Sequence, residues 1–171
     1  MKRVLLGLIL FLITFCGYSV LRATQEVAYQ GTPVPITQLG PKRSGPRVSF
    51  MDISGIGKPL RLVIRDLDSW RDVWKRIHHG PYPELPPLPE IDFSREMVIV
   101  VALGGRPSSG YGIIIDRAYE RDDQLEVVVR SIDGKGCTAL TVITAPVDIV
   151  RLAKTERAVV FKEIEVVREC K

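Results

Sequence analysis

The chain contains no asparagine, so N-linked glycosylation is excluded outright. It has two histidines, His78 and His79, and they are adjacent. Neighbouring positions on a helix do not face the same way, so the pair cannot chelate one ion as an i, i+4 pair could. No HExxH or paired-cysteine pattern joins them, and no metal or cofactor is expected. Nucleophilic catalysis also lacks its parts. There is no G-x-S-x-G, and Ser108 and Ser109 have no histidine in a triad context. The expectation is a protein that is not an enzyme, with no catalytic residues. Clustered Lys/Arg with interleaved aromatics is missing too, which excludes a nucleic-acid footprint. No internal repeat of fixed period is visible.

What is present begins with a leader. Lys2 and Arg3 precede 18 uncharged residues, 4–21, rich in Leu, Ile, Phe and Val. A basic start before an apolar run is the pattern of an export signal. As a helix those 18 residues reach about 27 Å, close to the roughly 30 Å of a bilayer core. Two outcomes stand open. The segment is a retained transmembrane anchor with Lys2 and Arg3 on the cytoplasmic side, or it is a signal peptide cleaved after Gly17-Tyr18-Ser19, with Arg22-Ala23 a weaker site. The domain then lies outside the cytoplasm, membrane-anchored or secreted. A lipid-anchored Cys16 is disfavoured because the bulky Phe15 precedes it.

The leader also carries most of the basicity. The net charge of +4 falls to +1 from residue 24 onward, where 21 basic residues face 20 acidic ones. A nearly neutral exported portion gives no electrostatic reason to bind nucleic acid.

Residues 22–47 are rich in Gly and Pro without apolar periodicity and read as an extended linker. Residues 48–171 are long enough for one domain. Leu60–Arg65 reads as a strand. Asp68 is the expected N-cap of a helix on which Trp70, Val73, Trp74 and Ile77 make one apolar stripe. That spacing places both tryptophans in the core. Five prolines in residues 80–91 read as a rigid connector. Met97–Leu103 is apolar without alternation, as for a strand buried on both faces. Strands follow from Tyr111 towards Tyr119 and over Leu125–Arg130, joined by an Asp122-Asp123 turn. Others are expected over Thr138–Thr144, Val147–Leu152 and Ala158–Val167. The fold class is mainly β, a sandwich or barrel-like domain with one packed amphipathic helix.

Two features hold candidate chemistry. Cys137 and Cys170 suit a disulfide in an oxidising compartment, with free thiols as the alternative. The second is Arg106-Pro107-Ser108-Ser109-Gly110-Tyr111, which follows Gly104-Gly105 between two apolar strands. An Arg and a Tyr at such a tip can anchor a protein partner. The competing reading is a glycine-rich turn with Tyr111 packed on the sheet.

The stretch Asp92–Val101, the loop Gly104–Tyr111, Ala139-Leu140-Thr141 and Ala145–Val150 together resemble the PrcB C-terminal domain family. The helix carrying Trp70 and Trp74 resembles what often lies upstream. That family is named for an accessory subunit of a bacterial surface protease complex. The resemblance implies an exported, non-catalytic domain that stabilises a protein partner such as a protease. The loop also resembles the Asn-Pro-Thr-Thr-Gly-Tyr segment of chagasin-like cysteine-protease inhibitors, with Arg106 where those have Asn. Their two further loops, Gly-x-Gly-Gly and Arg-Pro-aromatic, have no counterpart in this chain. The alternative function is therefore a protease inhibitor acting through Arg106–Tyr111.

Overall fold

The structure is a computed structural model that describes residues 31–39, 52–79, 85–134 and 139–167. The leader and all three cysteines lie outside the described residues. Among the described residues no helix is long and apolar enough to cross a membrane.

Among the described residues, eight strands and one helix occur in the order β1 (Thr32–Val34), β2 (Ile36–Gln38), β3 (Leu60–Ile64), α1 (Leu67–Ile77), β4 (Glu96–Ala102), β5 (Gly112–Arg121), β6 (Gln124–Asp133), β7 (Val147–Ala153) and β8 (Ala158–Val167). They form two four-stranded sheets, β1-β5-β6-β8 and β2-β7-β4-β3. This is a sandwich and not a closed barrel. All pairs are antiparallel except β6 and β8, which run parallel because β7 crosses into the other sheet between them.

β4 sits at the centre and explains why its sequence does not alternate. Met97, Ile99 and Val101 face the other sheet and pack with Ile113, Ile115, Val127 and Val129. Val98, Val100 and Ala102 face the helix and pack with Trp70, Val73, Trp74 and Ile77. Both faces of the strand are buried, so both rows must be apolar. The result is three layers: sheet, sheet, helix.

The helix presents the expected stripe, with all four residues buried. Its first residue is Leu67, however, so the cap is Asp66 and not Asp68. The Asp66 carboxylate accepts hydrogen bonds from the Ser69 N–H and the Ser69 hydroxyl, each at 2.8 Å. Asp68 instead pairs with Arg71 at 2.7 Å on the exposed side. The Ser69 bonds hold the Asp66 carboxyl below its ordinary value of 3.8. A carboxyl depressed in the folded state stabilises above its unfolded pKa and loses that contribution as pH falls through the folded one. Asp66→Ala is therefore expected to lower the thermal midpoint at neutral pH, and the gap to the parent should close as pH falls below 3.8. Midpoints that differ equally at both pH values would contradict the cap.

The proline-rich connector has a second role. The indole N–H of Trp70 donates to the Pro89 carbonyl at 3.1 Å, and that of Trp74 to the Pro86 carbonyl at 3.0 Å. Buried indoles need such partners, and a chain held extended by proline leaves its carbonyls free to supply them.

Two further expectations are corrected. The stretch read as a linker over 22–47 contributes β1 and β2, which pair with β5 and β7 respectively. The chain changes sheets at Pro35, and both strands lie at sheet edges. Proline is tolerated there because an edge strand needs no donor on its outer side. The strand expected over Thr138–Thr144 is absent from the described residues 139–144, which run irregularly with one isolated bridge, Arg106 to Thr144. Its β-branched composition states a preference that packing overrides.

Candidate functional site

The loop between β4 and β5 is fastened along its length. The Leu103 N–H donates to the Pro146 carbonyl and the Gly105 N–H to the Gly57 carbonyl. Arg106 and Thr144 exchange both backbone hydrogen bonds, at 2.7 and 2.9 Å. The Thr144 hydroxyl donates to the Ser108 carbonyl at 2.9 Å. The Ser109 N–H donates to the Leu140 carbonyl, while the Leu140 N–H donates to the Ser109 hydroxyl oxygen. The Ser108 hydroxyl oxygen accepts from the Gly110 N–H. Both serine hydroxyl oxygens thus accept hydrogen bonds that hold the turn together.

Close backbone approach explains the glycines that matter. Gly104 has φ +76 and lies against the backbone of Lys58 and Pro59, which a Cβ would meet at 2.9 Å. At the other end Gly110 rests on Gly134 at the end of β6, where a Cβ on Gly134 would strike the Gly110 carbonyl.

This framework aims two side chains. The Arg106 guanidinium lies over the Tyr111 ring, 5.8 Å from its centroid, a cation–π arrangement. Both residues are half-buried. Among the described residues Arg106 makes no ion pair, its Nη1 donating to the neighbouring Gly105 carbonyl. Arg106 and Tyr111 line a groove of about 410 Å³ at the end of the sandwich. On its other walls lie Arg61 of β3, Asp133 of β6, and Glu163 and Glu165 of β8. Arg61 and Glu163 form a two-point ion pair across the two sheets, at 2.7 and 3.0 Å. Arg61 Nη1 also donates to the carbonyls of Leu60 and Ala102. The pair is partly exposed, so it fixes geometry more than it stabilises.

Sequence reasoning singled out the loop and missed the groove's other walls. The signal was alternation. In β8, Val159 and Phe161 pack into the core, so period two puts Glu163 and Glu165 on the same face. In β3, Val63 packs there, so Arg61 faces it too. Charges at inward positions of a strand mark where a core opens to solvent.

The histidines and acidic residues lie elsewhere. His78 closes the helix, its Nδ1 2.9 Å from the Trp74 carbonyl and its ring centroid 4.0 Å from that of Trp74. Asp92 accepts from the Ser94 N–H and hydroxyl in a turn, which holds its carboxyl below the ordinary value. Asp122 makes the β5–β6 turn with φ 51. Asp148, missed by sequence reasoning, is fully buried and accepts from the Ile115 N–H at 2.7 Å. This bond ties β7 to β5 beside the register shift at Asp116. Among the described residues no group of three His, Cys, Asp or Glu is placed to hold a metal.

Residues 97–153 match the PrcB C-terminal family model. The match runs from β4 through β7 and contains both the Arg106–Tyr111 loop and the 139–146 segment that fastens it. Thus the resemblance read from short motifs falls on the central strands and the site, while α1, β3 and β8 lie outside the matched residues. No curated protein and no solved structure matches the chain.

Proposed function

We propose that this chain is a non-catalytic, extracytoplasmic binding or accessory protein, membrane-held by its N-terminal segment, that stabilises a protein partner such as a protease complex. The observation that carries the reading is the fastening of the loop. Arg106 and Tyr111 are held beside a groove by hydrogen bonds to residues 140 and 144, not left on a mobile tip. A contact ordered in advance spends less conformational entropy on binding, and Arg and Tyr are the residue types that carry interface energy. The family match adds support, because the matched residues include this loop.

The test is recovery of the partner on the tethered protein from its native membrane. Arg106→Ala/Tyr111→Ala is expected to reduce recovery about tenfold or more. Unchanged recovery would remove the loop from the function. The same preparation, added to papain-type and serine proteases, is expected to leave small-peptide cleavage unaffected, whereas an inhibitor would block it.

The disulfide belongs to the same reading. Cys137 and Cys170 lie outside the described residues, but the strands leading to them end side by side at Asp133 and Val167. The cysteines lie four and three positions beyond those ends, a reach of about 10–13 Å. Closing this loop is worth about 4 kcal/mol in the chain-entropy account. Thiol counting on the denatured, unreduced protein is expected to find at most the thiol of Cys16. Two further free thiols would disprove the pairing.

A further inference from the structure

We propose that the loop over residues 139–143 forms the anchor of the contact surface, seating in an apolar cleft of the protein partner with a carboxylate at its rim facing Arg106. This rests on the binding function above and gives the partner its chemistry. Leu140 is 74 % exposed, Val142 40 % and Ile143 79 %. A single exposed apolar side chain needs no explanation, but three within four residues make a patch that marks a contact. The loop is not loose. Leu140 is bonded in both directions to Ser109, the Val142 N–H donates to the Leu140 carbonyl, and Thr144 is bridged to Arg106. The same bonds set the apolar patch beside Arg106, a cation that shares its groove with Asp133, Glu163 and Glu165 but forms no ion pair with any of the described residues. An apolar centre flanked by Arg and Tyr has the composition of an interface core, and the unpaired cation calls for a complementary anion.

Geometry favours a protein over a bilayer as the occupant. The loop lies at the Gly112 end of β5. Gly31, where the described chain begins, abuts Glu120 at the opposite end of that strand. The eight residue steps between them span about 27 Å. The described chain therefore enters the fold at the end of the sandwich opposite this loop. Residues 139–147 contain no Lys or Arg, and Arg106 beside them is not the cluster of cations that anionic lipid recruits.

The test uses the full chain in its native membrane, with a photo-reactive residue at position 143 or, as a control, at Leu67 on the helix. The expected result is a protein adduct from position 143 and none from Leu67. The attached peptide should be apolar with an Asp or Glu among its residues, and Arg106→Glu should cut the yield about tenfold. Adducts to lipid alone, to a second copy of this chain, or to no protein overturn the proposal. Leu140→Ser/Ile143→Ser separates the two levels of the argument. Recovery that survives this change but is lost with Arg106→Ala/Tyr111→Ala refutes the apolar anchor and leaves the binding function standing. Recovery indifferent to both pairs refutes the binding surface itself. Serine at such exposed positions leaves the thermal midpoint unchanged, so lost recovery there reports contact and not folding.

Discussion

Replacing Trp70 with alanine is expected to lower the stability of the domain by about 3–5 kcal/mol, the range for deleting a buried tryptophan. The side chain is wholly inaccessible to solvent. It lies 5.2 Å from Trp74, in the layer between the helix and β4. Collapse into the space is limited on the sheet side, where strand pairing fixes Val98, Val100, Ala102 and Ile149. The change also removes the indole donor to Pro89, a bond that ties the proline-rich connector to the helix. A domain has about 5–15 kcal/mol in all, so the loss is a large share of the total. Trp70→Phe keeps most of the packing and gives up the hydrogen bond, for an expected cost nearer 1–2 kcal/mol. Urea unfolding followed by far-ultraviolet circular dichroism measures both. A loss below about 1 kcal/mol for the alanine variant would mean that the tryptophan is not a core residue.

Gly104→Ala is the second large effect, and it bears on the site as well as on stability. A φ of +76 costs a residue with a side chain about 1–3 kcal/mol. The added Cβ would stand 2.9 Å from the backbone of Lys58 and Pro59, which cannot rotate away as a side chain could. Overpacking of that kind adds about 1–3 kcal/mol. Together the expected loss is about 2–6 kcal/mol. Any relaxation must move the loop that starts at Gly104, so Arg106 should leave its place over Tyr111 and partner recovery should fall too. Gly57→Ala is the control on the facing segment: a Cβ there meets nothing within 4 Å, and the expected change is within about 0.5 kcal/mol. Equal unfolding midpoints for the two variants would show that the Gly104 backbone is not constrained.

Much of the fold was legible because it rests on periodicity. The stripe of Trp70, Val73, Trp74 and Ile77 implied a helix with one buried face, and all four are buried. Unbroken apolarity from Met97 to Leu103 implied a strand with two buried faces, and β4, which ends at Ala102, has them. The Asp122-Asp123 turn between two strands was readable from side-chain chemistry alone. Where the reading failed, a local preference met a distant partner. Residues 139–143 have the composition of a strand, yet they serve to hold the 104–111 loop. Residues 32–38 look like linker because of Pro33 and Pro35, yet each half finds an edge to pair with.

The same division holds at the site. The amino-acid order determined that a glycine-rich loop with one Arg and one Tyr would stand between two buried strands. It also determined which side chains of each strand share a face. Only the tertiary structure decided that this loop would be bound to residues 140 and 144, that Arg61 would reach Glu163 across 102 positions of chain, and that three apolar side chains would stand beside an unpaired cation. The reason is one of range. Alternation and helical stripes are set by burial within a few residues, whereas the meeting of loop ends depends on sheet order and register, which segments far apart in sequence settle together.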